Sequence, residues 1–139
     1  MTEAMLSAHA NARVVVVEDN QPSAELVQAL LARSGLPGVE AVADPRQFLE
    51  RLPHLAPHLV LLDLNLADVG GEEILRALRD DPLTATIPVV IVSADAMPRQ
   101  VQRLLSAGAT AYLTKPIDVR QLLELVDRAL AMAERAPTP

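Results

Sequence analysis

Leu59-Val60-Leu61-Leu62-Asp63 sets four apolar residues directly before one carboxylate. A short apolar run without alternation fits a strand buried on both faces, as in a parallel sheet covered by helices. Asp63 then stands at the carboxyl end of that strand, the edge where open α/β sheets bind their ligands. Taken alone, an Asp after a strand reads as the cap of a turn. The rest of the chain changes that reading.

The same kind of unit recurs on both sides of this stretch. Val14-Val15-Val16-Val17 is β-branched throughout and ends in Glu18-Asp19. Pro22 then opens a helix expected over 22–34, which buries Leu26, Val27, Leu30 and Leu31 and ends at Gly35. Residues 39–43 read as a second strand. Asp44-Pro45-Arg46-Gln47 reads as a capping box for a helix that carries Phe48, Leu49 and Leu52 and stops at Pro53. Beyond Asp63, a loop with Gly70-Gly71 leads into a helix over 72–79 that buries Ile74, Leu75 and Leu78. Residues 88–92 form a fourth strand running into Ser93-Ala94-Asp95. A helix over 98–107 follows, burying Val101, Leu104 and Leu105. A short fifth strand, 110–113, ends at Thr114-Lys115-Pro116. Asp118 and Gln121 cap a last helix carrying Val119, Leu122, Leu123, Val126 and Leu130.

Strand and helix thus alternate five times, which implies parallel pairing through right-handed crossovers. The expected fold is α/β and flavodoxin-like: a doubly wound five-stranded parallel (βα)5 sheet with strand order 2-1-3-4-5. One domain is expected over 13–133. Residues 1–12 read as a flexible lead-in and 134–139 as a disordered tail.

Composition narrows the function. The chain has 139 residues, half of them hydrophobic, with one Phe, one Tyr and no Trp, so its core is aliphatic. It has no Cys, which excludes disulfides and thiolate metal sites and suits a cytoplasmic setting. A net charge of -6 argues against direct, sequence-independent binding to nucleic acid or to an anionic membrane. No apolar run reaches the length of a membrane span, and residues 1–12 lack the pattern of a signal peptide. His54 and His58 flank Pro57 with no third ligand in sight and read as surface loop residues, and His9 reads as part of the lead-in.

Four of the five strands end in groups able to do chemistry: Glu18-Asp19, Asp63, Ser93 and Lys115. A parallel sheet brings all four ends to one edge. Each residue alone has a bland explanation as a cap, a turn residue or solvated surface, but their coincidence at corresponding strand ends does not. Three converging carboxylates repel one another and raise the pKa of at least one. A hard divalent cation with oxygen ligands, Mg2+ or Mn2+, relieves this, and Lys115 can hold an anion beside it. Such a set suits phosphoryl transfer to Asp63, with the Ser93 hydroxyl donating a hydrogen bond.

The segments 14–20 (VVVVEDN), 59–66 (LVLLDLNL), 89–95 (VVIVSAD) and 108–116 (GATAYLTKP) resemble, in order and spacing, the receiver domain of two-component response regulators, of the chemotaxis-regulator type. The resemblance implies that Asp63 is the phosphoacceptor and that Asp19 binds the metal directly, with Glu18 acting through water. It implies a backbone-carbonyl ligand at Asn65. Ser93 and Ala94 bind and make room for the phosphoryl group, and Lys115 pairs with it. A cis bond precedes Pro116, and Tyr112 is an aromatic switch coupled to Ser93. Asn65 and Asp95 occupy positions that tune the lifetime of the acyl phosphate. The loop after Asp63 departs from the family pattern, with Ala67 in place of a proline and Gly70 in place of an Asp, but no site residue is lost.

The resemblance further implies a signalling phosphoacceptor rather than an enzyme with a separate substrate. Its donor is a histidine kinase or histidine phosphotransfer protein. Its output is read on the surface of the fourth helix, fifth strand and fifth helix, where a homodimer could also form. The chain fits a stand-alone regulator or the receiver piece of a hybrid kinase. Three other readings compete. A haloacid-dehalogenase-like phosphatase needs an Asp two residues past the nucleophile, where this chain has Asn65. A nucleotide binder needs a phosphate loop where Glu18-Asp19 would repel phosphate. A phosphorylation-independent interaction module requires none of the site.

Overall fold

The computed structural model describes residues 5–64 and 70–135. Five strands and five helices alternate: β1 Val14–Val17, α1 Gln21–Arg33, β2 Val39–Val42, α2 Pro45–Leu55, β3 Leu59–Asp63, α3 Gly71–Asp80, β4 Val89–Ser93, α4 Pro98–Ser106, β5 Ala111–Thr114 and α5 Val119–Arg135. The strands form one parallel sheet in the order β2-β1-β3-β4-β5, as the alternation of strand and helix in the sequence implied.

Successive side chains on a strand point to opposite faces, so each apolar strand feeds two cores. Val14, Val16, Leu59, Leu61, Val90, Val92 and Leu113 pack with Val27 and Leu31 of α1 and with Leu122, Leu123 and Val126 of α5. Val15, Val17, Val60, Leu62, Val89 and Ile91 pack with Phe48 of α2, Ile74, Leu75 and Leu78 of α3, and Leu104 of α4. Every residue of β1, β3 and β4 is buried. That is why these strands read as unbroken apolar runs.

Several local expectations need correcting. In α1 the buried stripe is Ala24, Val27 and Leu31, while Leu26 is 60 % exposed. Leu26 lies about 100° around the helix from Val27, so the two cannot share a core face. In α4 only Leu104 is buried; Val101 is half-buried, and Leu105 is exposed because it lies about 100° round the helix from Leu104. Pro53 does not end α2. The helix continues to Leu55, whose side chain is buried, and Ala56 closes it in the left-handed conformation. Near the last turn the proline removes only one backbone hydrogen bond, and burial of Leu55 offsets that loss. His54 therefore sits on a helix and not in a loop. His58 accepts a hydrogen bond at Nδ1 from the Arg13 backbone N–H, 2.8 Å away. The caps stand where the sequence put them: Asp44 accepts from the Arg46 N–H, and Asp118 from the Gln121 N–H.

Of the flexible lead-in expected over residues 1–12, residues 1–4 lie outside the described residues. A short 3-10 turn, Ser7–His9, packs against the domain, and both Leu6 and His9 are buried.

Candidate phosphoryl-transfer site

The site is built by the sheet's register. Val17 is level with Leu62, Asp63 with Val92, and Ser93 with Thr114. Hydrogen bonding continues one residue past the strands: Glu18 N–H donates to the Val42 carbonyl at 3.1 Å, Leu64 N–H to Val92 at 3.0 Å, and Lys115 N–H to Ser93 at 2.8 Å. The residues that end each strand are thereby held by backbone at one edge of the sheet, where the side chains of Glu18, Asp63 and Lys115 meet.

Glu18, Asp19 and Asp63 each bring a carboxylate oxygen into a cluster no wider than 4.8 Å. Glu18 and Asp63 are buried, and Asp19 is exposed. The Lys115 Nζ lies 3.5 Å from Asp63 Oδ2 and 3.5 Å from Glu18 Oε1. One ammonium therefore faces three carboxylates. The imbalance shows in Glu18, whose pKa is raised to about 7. Burial is the largest cause, followed by the hydrogen bond to Asp63 and its negative charge. The Asn20 N–H and Lys115 oppose the shift.

These donors fit a divalent cation. They are all hard oxygens, they converge, and their own counter-charge is too small. A cation bound by Glu18, Asp19 and Asp63 would supply the neutralisation that the lone lysine cannot. Asn65, whose backbone carbonyl was expected to complete the ligand set, lies outside the described residues.

Ser93 is fully buried, and its Oγ accepts a hydrogen bond from the Asp95 N–H at 3.0 Å. Ala94, between them, is exposed at the site's rim. The Tyr112 hydroxyl donates to the Asp95 carbonyl at 2.5 Å. The Asp95 carboxylate accepts from the Met97 N–H at 2.9 Å, just ahead of α4. Ser93 and Tyr112 are thus joined through the backbone of Asp95, and the same residue shapes the entry to α4. The Lys115–Pro116 bond is cis.

One feature of the site was missed from sequence. An apolar pocket of about 380 Å³ adjoins the carboxylates between α1 and α5. Leu26, Leu30, Ile117, Val119 and Leu122 line it beside Asp63 and Lys115. Leu26 and Val119 are both exposed, at 60 % and 43 %. The available signal was phase: Leu26 falls off the stripe that Ala24, Val27 and Leu31 define.

Residues 14–127 match the family model described as the response regulator receiver domain. The chain is 34 % identical over 123 residues to the polar-differentiation response regulator DivK of Brucella ovis, spanning 86 % of this chain and 97 % of the relative. The DivK of Brucella anthropi is 32 % identical over 120 residues, with the same coverage. Among solved structures, the signal receiver domain of a signal transduction histidine kinase from Syntrophus aciditrophicus superposes with a TM-score of 0.82 at 29 % identity, covering 92 % of this chain and 96 % of that one. The chemotaxis response regulator CheY4 of Vibrio cholerae gives 0.78 at 26 % identity, covering 85 % and 98 %.

Proposed function

Because the chain belongs to the response regulator receiver family, we propose that it is a phosphoacceptor receiver that takes a phosphoryl group from a phosphohistidine onto Asp63. The observation that carries this reading is the placement of Asp63: buried at the carboxyl edge of the sheet, with Lys115 Nζ at 3.5 Å and the carboxylates of Glu18 and Asp19 beside it.

An Asp63 carboxylate oxygen attacks phosphorus, the P–N bond to the donor histidine breaks, and the leaving imidazole keeps the electron pair and takes up a proton. Asp63 needs no general base, because an ionised carboxylate is already a nucleophile. Lys115 pairs with the phosphoryl oxygens, and Ser93 turns its hydroxyl from the Asp95 N–H toward them. Ala94 leaves the space for that approach. Mg2+ or Mn2+ would be held by Asp19, Asp63 and Glu18, with the Asn65 carbonyl as the further ligand that the family resemblance implies, and would supply charge neutralisation. Asn65 and Asp95 stand at the sequence positions that tune the lifetime of the acyl phosphate. The chain transfers and hydrolyses its own phosphoryl group and has no separate substrate.

Release of the Asp95 N–H by Ser93 frees the link to Tyr112 and to the entry of α4. The surface of α4, β5 and α5 is then biased between two states. A downstream protein reads that surface, and homodimerisation on it is one way of reading it. The donor, a histidine kinase or histidine phosphotransfer protein, has to cover the mouth of the site, so Leu26 and Val119 lie under it. Among the described residues no helix is long and apolar enough to cross a membrane, and the reading places the protein in the cytoplasm.

The test is beryllofluoride, which mimics an aspartyl phosphate, followed by NMR. Mg2+-dependent shifts at Ser93, Tyr112 and α4 that vanish in Asp63→Asn support the reading. Equal shifts in Asp63→Asn overturn it.

A further inference from the structure

Residues 5–12 precede the span 14–127 matched by the family model, yet Leu6 and His9 among them are buried. Leu6 is 0 % exposed and shares a cluster with Leu31 of α1, with Leu36, and with Val126, Ala129 and Leu130 of α5. Its N–H donates to the Ser34 carbonyl at 2.8 Å, where α1 ends. The His9 ring, 6 % exposed, places Nε2 2.9 Å from Asp127 Oδ1 on α5.

The segment that receives these residues is shaped for them. Gly35 has φ +105°, and a Cβ there would lie 2.6 Å from Ser7 Oγ and 2.8 Å from Ser7 N. At Gly38 a Cβ would lie 2.9 Å from the Ala12 carbonyl oxygen. Only glycine lets the α1–β2 connection lie this close to the backbone at both places. On the other side, α5 runs past residue 127 to Arg135, and Ala129 and Leu130 of this extension are buried. Two stretches outside the shared span, one before β1 and one at the end of α5, therefore belong to one cluster.

We infer that residues 5–12 are a strap that locks the carboxyl half of α5 to the end of α1 and sets how freely α5 can move. A lead-in lying on the surface would not place a leucine at zero exposure or need two glycines opposite it. Leu6 fills space that α1 and α5 alone leave open, and the His9–Asp127 contact fastens the strap to α5. The folding unit accordingly begins at the strap and not at β1. This inference is independent of the role of Asp63.

The test uses the full chain and variants of it, with urea unfolding and hydrogen exchange read by mass spectrometry. Leu6→Ala is expected to lower the folding equilibrium constant about a hundredfold, as for other fully buried leucines. Exchange should accelerate most in peptides from α5, ahead of those from β3. Removal of residues 1–12 should act in the same direction. His9→Ala and Asp127→Asn should each weaken folding by less, and the double variant should be no weaker than the weaker single, because each removes the same contact. If Leu6→Ala does not fold, Leu6→Val should give the same ranking of peptides with a smaller loss. The inference is overturned if removal of residues 1–12 leaves the midpoint and α5 exchange unchanged. It is equally overturned if exchange rises uniformly over α5 and β3, or if the His9 and Asp127 effects simply add.

Discussion

Replacing Glu18 by Gln removes one charge from a buried cluster while keeping the shape of the side chain. In the metal-free protein the Glu18 pKa is raised from 4.5 to about 7 by burial and by Asp63. Between those values the folded protein holds a proton that the unfolded chain has released. Stability therefore falls as pH rises from about 4.5 to about 7 and is level above. At about 1.4 kcal/mol per pH unit, the folded state is some 3 kcal/mol less stable at pH 8 than it would be with an unperturbed glutamate. Glu18→Gln cannot release that proton. Urea unfolding of metal-free protein from pH 4 to pH 8 should show the decline in the wild type and its loss in the variant. The variant should be the more stable of the two at pH 8. Added Mg2+ should stabilise the wild type at pH 8, by about 1.4 kcal/mol at ten times its dissociation constant, and the variant by less. Parallel curves for the two proteins across the pH range, with or without Mg2+, would refute the reasoning that Glu18 is strained by burial and by Asp63 and relieved by a cation.

Three further outcomes follow from the same geometry. Lys115→Met removes the only ammonium within 3.5 Å of Asp63 and Glu18 among the described residues; labelling by acetyl phosphate, followed by intact mass, should slow by about 10²–10³-fold, as when one transition-state donor is lost. Leu26→Lys, at a position 60 % exposed beside the site, should slow transfer from a phosphohistidine protein by about tenfold or more, since a charge would meet an apolar contact. Its labelling by acetyl phosphate should match the wild type. Tyr112→Phe deletes the bond to the Asp95 carbonyl and should lower stability by about 1 kcal/mol in urea unfolding. It should leave Asp63 labelling intact while reducing the beryllofluoride-induced shifts in α4.

The order of elements and the sheet were legible because β1, β3 and β4 are buried on both faces and so are apolar up to the polar residues, Asp63 and Ser93, that end β3 and β4. The site was legible because its parts sit where strands end, and strand ends survive small errors in helix boundaries. Glu18, Asp63, Ser93 and Lys115 needed only the register of a parallel sheet to bring them together. What was not legible depends on tertiary packing. The Leu26 side chain differs from that of Leu31 only in its phase around α1, and the burial of Ala24 that fixes the phase leaves little trace in a hydrophobicity pattern. Pro53 reads locally as a stop, but the buried Leu55 beyond it keeps the helix going. Leu6 stands in a stretch with no periodicity, and its burial arises from a slot formed by the ends of α1 and α5.

The most direct measurement is the site of phosphorylation itself. The protein is incubated with acetyl phosphate and Mg2+, the acyl phosphate is trapped by borohydride reduction, and peptides are mapped by mass spectrometry. The modification is expected on Asp63 alone, dependent on Mg2+, and absent from Asp63→Asn. Modification at another residue, or undiminished modification of Asp63→Asn, would contradict the assignment of Asp63 as the phosphoacceptor.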